Sequence, residues 1–482
     1  MNFPLTEVSA ALGVPPPASE RLLTGWSIDS RTVQPGDLFF ALRGPNHDGN
    51  AYITAALRAG AVAAVADRGV EPPPAAPLFL VPDTLHALQR VAAWARGRWN
   101  GDVIGITGSA GKTSTKDAIA DILGAHFTIG RTAGNFNNHV GVPLSILRLP
   151  DDARAGVIEI GMNHAGEIRD LAGIARPRVG VVTNVGHAHM ENFESLEGVA
   201  AAKRELIEAL PGDGVAVLNA DDPLVARFGE GFAGRVITFG IGGTWGPLPL
   251  VAAQNRRSEG TAAYGAATKG SGFEVSADVR AEDIEVLSDG SRFRVGDTRF
   301  ETILAGRHSI LNILAGIAVA GIYGIHPGEL VAAVANLKPG KMRGERLLAG
   351  GILVWNDCYN SNPDAVRSMI DLLRDTPARR RIAVLGEMLE LGRWSECLHR
   401  EVGRYVAKSG IPVLLGIRGD ARGMVDAAVE AGLDRGSAYF FEDAGAAGDR
   451  LREIAREGDA ILFKGSRGTR VEEALERFRV AN

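Results

Sequence analysis

Val103-Ile104-Gly105-Ile106-Thr107-Gly108-Ser109-Ala110-Gly111-Lys112-Thr113 is the stretch that decides the fold. It opens on an apolar run of strand length, and a helical pattern runs from Thr113 to Leu123. A glycine-rich turn between strand and helix lets backbone N–H groups approach an anion, and the helix N-terminus adds favourable partial charge. Lys112 supplies a full positive charge and Thr113 a hydroxyl suited to magnesium. The spacing departs from G-x-x-x-x-G-K-[ST]: Ile106 stands where the first glycine belongs, with glycines at 105 and 108 instead. A plain glycine-rich turn would need neither the buried strand nor the Gly-Lys-Thr ending, so the reading is a nucleoside triphosphate site. The loop alone leaves kinase, ATPase, GTPase and ligase open.

Outward from the loop, Val157-Ile158-Glu159-Ile160 and Val179-Gly180-Val181-Val182 read as further buried strands. Helical patterns cover Val199 to Leu210 and Ile310 to Ala320. Buried strands alternating with helices predict a mainly parallel sheet covered on both faces, a central domain over 98–338. Before it, residues 1–97 carry the strand-like Asp37-Leu38-Phe39-Phe40-Ala41, an Ala-rich helix and strand from Ala51 to Ala66, and a stiff Glu71-Pro72-Pro73-Pro74 loop. After it, 339–482 has strand candidates at Ile352–Trp355, Ile382–Leu385, Val413–Leu415 and Ile461–Phe463. The expected fold is α/β in three domains, with a smaller N-terminal α/β domain and a C-terminal Rossmann-like one. A length of 482 residues suits that division at roughly 150 residues per domain. The Gly- and polar-rich segment Gly240 to Gly272 reads as an irregular insertion.

Lys plus Arg number 52 against 57 Asp plus Glu, a net charge of −5 that argues against a dedicated nucleic-acid binder. Two cysteines, Cys358 and Cys397, cannot build a disulfide framework or a four-cysteine zinc site. The N-terminus lacks the cationic start and apolar core of a signal peptide. No uncharged apolar run reaches the roughly 18 residues of a membrane span. These features predict a cytoplasmic chain with no membrane insertion.

Four residues downstream bear on the chemistry. Glu159 ends a predicted parallel strand, where ligands of such sheets bind, and a carboxylate there suits magnesium. His187 and His189 sit two apart on a loop, without a third ligand at zinc-site spacing. Lys203, on a predicted helix, reads by itself as a solvated lysine.

Taken together, these motifs resemble the Mur ligase family of bacterial cell-wall synthesis. Thr107–Thr113 is similar to the family's own phosphate loop, which accounts for the displaced glycine. The resemblance implies ATP binding by Gly108, Ser109, Ala110, Gly111, Lys112, Thr113 and Ser114, with His308 and Asn312 on adenine and Arg343 and Asp357 on the nucleotide. Ser309 stands where an asparagine is usual. It implies two magnesium ions, the first on Thr113 and Glu159, the second on His189 and a carbamylated Lys203. Lys112, His189 and Lys203 become the expected catalytic residues. Ser30, Arg31, His47, Asp48 and Gly49 match a UDP-sugar-binding N-terminal domain, joined by Asn135 and Asn138 of the Thr132–Asn138 segment. In the C-terminal domain, Asn360, Asn362, Glu387, Lys464, Ser466 and Arg467 are expected to hold a dipeptide; Val471-Glu472 replaces the usual Met-Glu.

The implied reaction is ATP-dependent: D-alanyl-D-alanine is added to UDP-N-acetylmuramoyl-tripeptide, through an acyl phosphate, by a monomer. Three substrates met by three domains imply closure, because an acyl phosphate must be kept from water. A folylpolyglutamate synthase would lack the 97 residues before the phosphate-loop domain. A nucleotide-driven switch would need neither Lys203 nor His189. A nicotinamide-dependent oxidoreductase is disfavoured, since no G-x-G-x-x-G opens a helix after a strand.

Overall fold

The computed structural model describes residues 1–16, 21–70, 77–242, 277–287 and 289–479. The proline turn at 71–74, and the 240–272 segment beyond its first three residues, lie outside the described residues.

Four short parallel strands in sequence order, β1 (Gly25–Ser27), β2 (Asp37–Phe40), β3 (Ala63–Asp67) and β4 (Leu78–Val81), form the N-terminal sheet. Helix α1 (Thr84–Arg96) follows, started by Asp83, whose carboxylate accepts the His86 N–H at 2.7 Å. Its Leu88, Val91 and Ala95 are buried with Phe40, Val65 and Phe79 of the sheet. Leu144 and Leu147 of the next domain join the same cluster, so the first two domains share one core.

The central domain is a seven-stranded, all-parallel sheet of order β11-β10-β9-β8-β5-β7-β6. Its strands are β5 (Asp102–Thr107), β6 (Ile129–Arg131), β7 (Ala155–Glu159), β8 (Val179–Val182), β9 (Val215–Asn219), β10 (Arg235–Gly240) and β11 (Val279–Arg280). Helices α2 (Lys112–Gly124), α3 (Gly141–Leu147), α4 (Glu167–Ala175), α5 (Leu196–Glu208) and α6 (Arg307–Ile322) cover it. Strands β7, β8 and β9 are buried along their whole length, as their continuous apolar runs require. From β5 the chain builds outward to β7 and β6 on one side and to β8 and beyond on the other. The crevice outside the carboxyl ends of β5 and its neighbours is therefore the topological switch point, where open α/β sheets bind ligands.

A small antiparallel sheet of β12 (Glu282–Leu287), β13 (Gly290–Val295) and β14 (Thr298–Thr302) leads into α6. The third sheet has order β15-β16-β20-β17-β18-β19, from β15 (Glu345–Ala349), β16 (Ile352–Asp357), β17 (Arg380–Gly386), β18 (Val413–Ile417), β19 (Ala438–Phe441) and β20 (Asp459–Lys464). It is Rossmann-like but mixed, because edge strand β15 runs antiparallel to β16. Gly350 and Gly351 cause this: φ of 54° and 73° at successive positions makes the tight hairpin turn that only glycines adopt freely. Helix α7 (Pro363–Asp375) packs on this sheet and α8 (Ser395–Lys408) packs against α7. One buried cluster runs from Val185 and Met190 of the central domain to Met388 and Leu391 of the third, which is docked rather than tethered. Among the described residues no helix is long and apolar enough to cross a membrane.

Candidate active site

The phosphate loop joins β5 to α2. Gly108 has φ 153°, and a Cβ there would lie 1.8 Å from Thr183 Oγ1 on the neighbouring strand end, so no larger residue fits. Gly111 begins the helix at φ 79°, a left-handed turn that lets the chain swing directly into α2. Asn184 braces the loop, its Oδ1 accepting the N–H groups of Ser109 (3.1 Å) and Ala110 (2.8 Å). The first intrahelical bond runs from Thr115 N to Gly111 O at 2.8 Å. Among the described residues the N–H groups of Lys112, Thr113 and Ser114 therefore have no protein partner, as suits the binding of an anion at a helix start. Lys112 Nζ folds back to donate to Gly108 O at 2.8 Å. Removal from bulk water pushes its pKa down, against the opposing pull of Glu159.

At the end of β7, Glu159 is buried with both carboxylate oxygens in use. Oε2 accepts from Thr113 Oγ1 at 2.7 Å and Oε1 from Asn137 Nδ2 at 2.7 Å. Its own N–H donates to Thr132 Oγ1 at 3.1 Å. His189 follows β8 and lies with Nδ1 2.8 Å from Glu390 Oε2, a carboxylate of the third domain. Lys203 on α5 is 1 % exposed and makes no hydrogen bond or ion pair among the described residues. Burial, aided by the charge of Lys112, holds its pKa well below the ordinary lysine range. It does not line the main cavity. Among the described residues no group of three or more His, Cys, Asp and Glu could hold a metal ion, so any site here needs the Thr113 hydroxyl or a modified lysine.

That cavity, about 400 Å³, collects residues from the central and third domains. Ser109 to Thr115, Asn135, Asn137, Glu159 and His189 line one side; His308, Ser309 and Asn312 of α6 line a second. Asn312 Oδ1 accepts from Thr115 Oγ1 at 2.9 Å, while Ser309 Oγ donates back to Ala305 O at 2.8 Å and turns from the cavity's polar groups. Burial pushes the His308 pKa down, favouring a neutral ring. From the third domain come Arg343, whose guanidinium sits 3.8 Å from the centre of the Tyr359 ring, and Asp357. Asp357 accepts from Gly344 N at 2.9 Å and pairs with Lys464 Nζ at 2.6 Å.

The expected dipeptide residues divide. Asn360, Asn362 and Lys464 line the cavity; Glu387, Ser466 and Arg467 do not. Asn362 Oδ1 starts α7 by accepting the Ala365 N–H at 2.8 Å, and its Nδ2 donates across to Ser109 O at 3.3 Å. Glu387 accepts from Asp420 N at 3.1 Å, Ser466 Oγ from Leu389 N at 3.0 Å, and Arg467 pairs with Glu472.

A second cavity of about 650 Å³ opens between α1 and the central domain. His86, Gln89 and Arg90 of α1 face Asn138, Asn163 and Asp170 across it. Lys112, Asn137 and His189 line both cavities. Asn138 lines this one while its Oδ1 takes the Val140 and Gly141 N–H groups that start α3. Ser30, Arg31, His47, Asp48 and Gly49 line neither. Arg31 is exposed and paired with Asp29 at 2.6 Å, and Asp48 accepts the Asn50 N–H at 2.9 Å. Gly49 has no room for a side chain: a Cβ would lie 2.5 Å from Leu42 O. Sequence reasoning missed Asn137, Asn184, Glu390 and the α1 face. Asn137 stands inside the Thr132–Asn138 segment already singled out, whereas the α1 residues carry no local signal.

Family profiles match three consecutive parts of the chain: the Mur ligase family catalytic domain over 23–95, the Mur ligase middle domain over 106–320 and the Mur ligase glutamate ligase domain over 341–467. The UDP-N-acetylmuramoyl-tripeptide–D-alanyl-D-alanine ligase of Bacillus subtilis is 32% identical over 470 residues, 96% of this chain and 94% of that protein. The Escherichia coli ligase of the same name is 32% identical, over 93% and 92%. Among solved structures, MurF of Thermotoga maritima in complex with ADP is 27% identical with a TM-score of 0.78, covering 94% of this chain and 97% of that one. MurF of Acinetobacter baumannii is alike in fold, with a TM-score of 0.83 at 24% identity over 99% of each chain.

Proposed function

The chain belongs to the Mur ligase family, and on that premise we propose that it adds D-alanyl-D-alanine to UDP-N-acetylmuramoyl-tripeptide at the expense of ATP, completing the pentapeptide precursor of peptidoglycan. The observation that carries this reading is the pair of cavities meeting at Lys112, Asn137 and His189. One holds ATP against the phosphate loop; the other brings in the sugar nucleotide from the N-terminal domain. Their shared wall is where a carboxylate and a γ-phosphate meet.

A carboxylate is a poor electrophile at neutral pH. Its oxygen therefore attacks the γ-phosphorus, ADP leaves, and an acyl phosphate forms on the tripeptide. The dipeptide amine then attacks the acyl carbon, phosphate departs with the C–O bond pair, and the amine loses its proton. Lys112 and the unpaired N–H groups of α2 offset charge on the phosphates and orient them in line. Asn312 and a neutral His308 flank the base, and Asp357 and Arg343 bind the nucleotide from the third domain. Asn360 and Lys464 line the side from which the dipeptide enters. The docked third domain keeps water from the acyl phosphate.

Magnesium suits the donors present. Glu159 and Thr113 offer hard oxygens 2.7 Å apart at the foot of the phosphate loop. Magnesium, when bound there, neutralises phosphate charge. His189 and Lys203 would serve a second ion. An ammonium cannot be a ligand, but a buried amine held uncharged can add carbon dioxide and release a proton, becoming an anionic oxygen donor. On the same reading the ligase works in the cytoplasm as a monomer.

Phosphate release from ATP is the test. It should require both UDP-N-acetylmuramoyl-tripeptide and D-alanyl-D-alanine, with a UDP-pentapeptide product by mass. Release without any sugar nucleotide would overturn the reading.

A further inference from the structure

His189 and Glu390 meet across a domain boundary, and each is held there from behind. Both have left-handed backbones, φ 59° and 64°, which non-glycine residues keep only where surrounding contacts over-determine them. The contacts are specific. Glu191 N donates to Glu390 O at 3.1 Å and Arg393 Nη2 to Glu194 O at 3.3 Å. Gly392 approaches so closely that a Cβ would lie 2.8 Å from Glu191 Cα. From its own domain, His399 Nε2 fixes the same loop by accepting the Met388 N–H at 2.9 Å. The carboxylate 2.8 Å from Nδ1 selects the ring form with its proton on that nitrogen. Nε2 is then left as a lone-pair donor, without a protein partner among the described residues.

A histidine that serves a metal commonly gives its other ring N–H to a carboxylate, which fixes its orientation and raises its basicity. We propose that Glu390 is a positioning residue that does this across the domain interface, so that His189 becomes a competent metal donor only when the third domain is docked. The inference rests on His189 serving a metal ion as proposed above. It gives closure a chemical consequence: docking the domain that carries the dipeptide residues also completes the site that handles the γ-phosphate.

The test is Mn²⁺ binding by electron paramagnetic resonance, on the full chain with a non-hydrolysable ATP analogue. Glu390→Ala should weaken the His189-dependent Mn²⁺ site about 10- to 100-fold. Glu390→Gln, which keeps an acceptor, should recover most of that affinity. Arg393→Ala, which removes a neighbouring docking bond but no partner of His189, should lose distinctly less affinity than Glu390→Ala. Unchanged affinity in Glu390→Ala, or an equal loss in Arg393→Ala, would overturn the proposal. His189→Ala separates the two levels: if Mn²⁺ binding ignores it, the metal role of His189 itself falls.

Discussion

Thr113 Oγ1 donates to Glu159 Oε2 at 2.7 Å, joining the first turn of the helix after β5 to the last residue of β7. The bond spans 46 residues of sequence and exists because β5 and β7 are parallel neighbours with Ile106 opposite Glu159. Replacing Glu159 with Gln keeps its shape and removes its charge. The apparent magnesium affinity, read from the Mg²⁺ dependence of phosphate release, should fall about 10- to 100-fold. An unchanged dependence would remove Glu159 from the metal site.

Lys203 should be a stability liability kept for function. Its side chain is buried without a partner among the described residues, so Lys203→Met should stabilise the chain by roughly 1–3 kcal/mol in carbon dioxide-free buffer while abolishing turnover. The sign with pH follows from the lowered pKa. Below the unfolded lysine value the unfolded chain binds a proton that the folded chain refuses, so the native lysine costs stability there. The advantage of Lys203→Met in urea unfolding should therefore shrink as pH rises toward about 10.4.

The Asp357–Lys464 pair behaves differently, because each charge has its partner at 2.6 Å and Lys464 is 3% exposed. Lys464→Met would strand the aspartate, with an expected loss of about 3–5 kcal/mol in chemical denaturation. Loss of nucleotide affinity should accompany it, since Asp357 lines the ATP cavity. A variant as stable as the parent would show that water reaches Asp357 freely.

Arg90 lines the second cavity and carries no ion pair among the described residues. Arg90→Ala should raise KM for the sugar nucleotide about 10-fold, the loss of one charge-assisted hydrogen bond, with KM for ATP unchanged. Equal effects on both KM values would place the sugar nucleotide elsewhere.

How far the sequence carried depends on the range of the signal. The strands around the phosphate loop were legible because each is an apolar run ending in a motif: β5 in Gly108–Thr113, β7 in Glu159, β8 in the loop to His189. The antiparallel edge of the third sheet was encoded too, in Gly350-Gly351, but two glycines predict a turn without naming its strands. Nothing in the sequence favoured Glu390 over Glu387; only docking places it against His189. The α1 face was invisible, since His86, Gln89 and Arg90 are ordinary surface residues of an amphipathic helix until a second domain faces them across a cavity.

In the proposed mechanism the tripeptide carboxylate takes the γ-phosphoryl group before the amine attacks. Labelling both oxygens of that carboxylate with ¹⁸O tests it directly, by mass analysis of the phosphate released in a single turnover. Every phosphate should carry one ¹⁸O, transferred when the acyl phosphate collapses. Unlabelled phosphate with normal pentapeptide yield would contradict it.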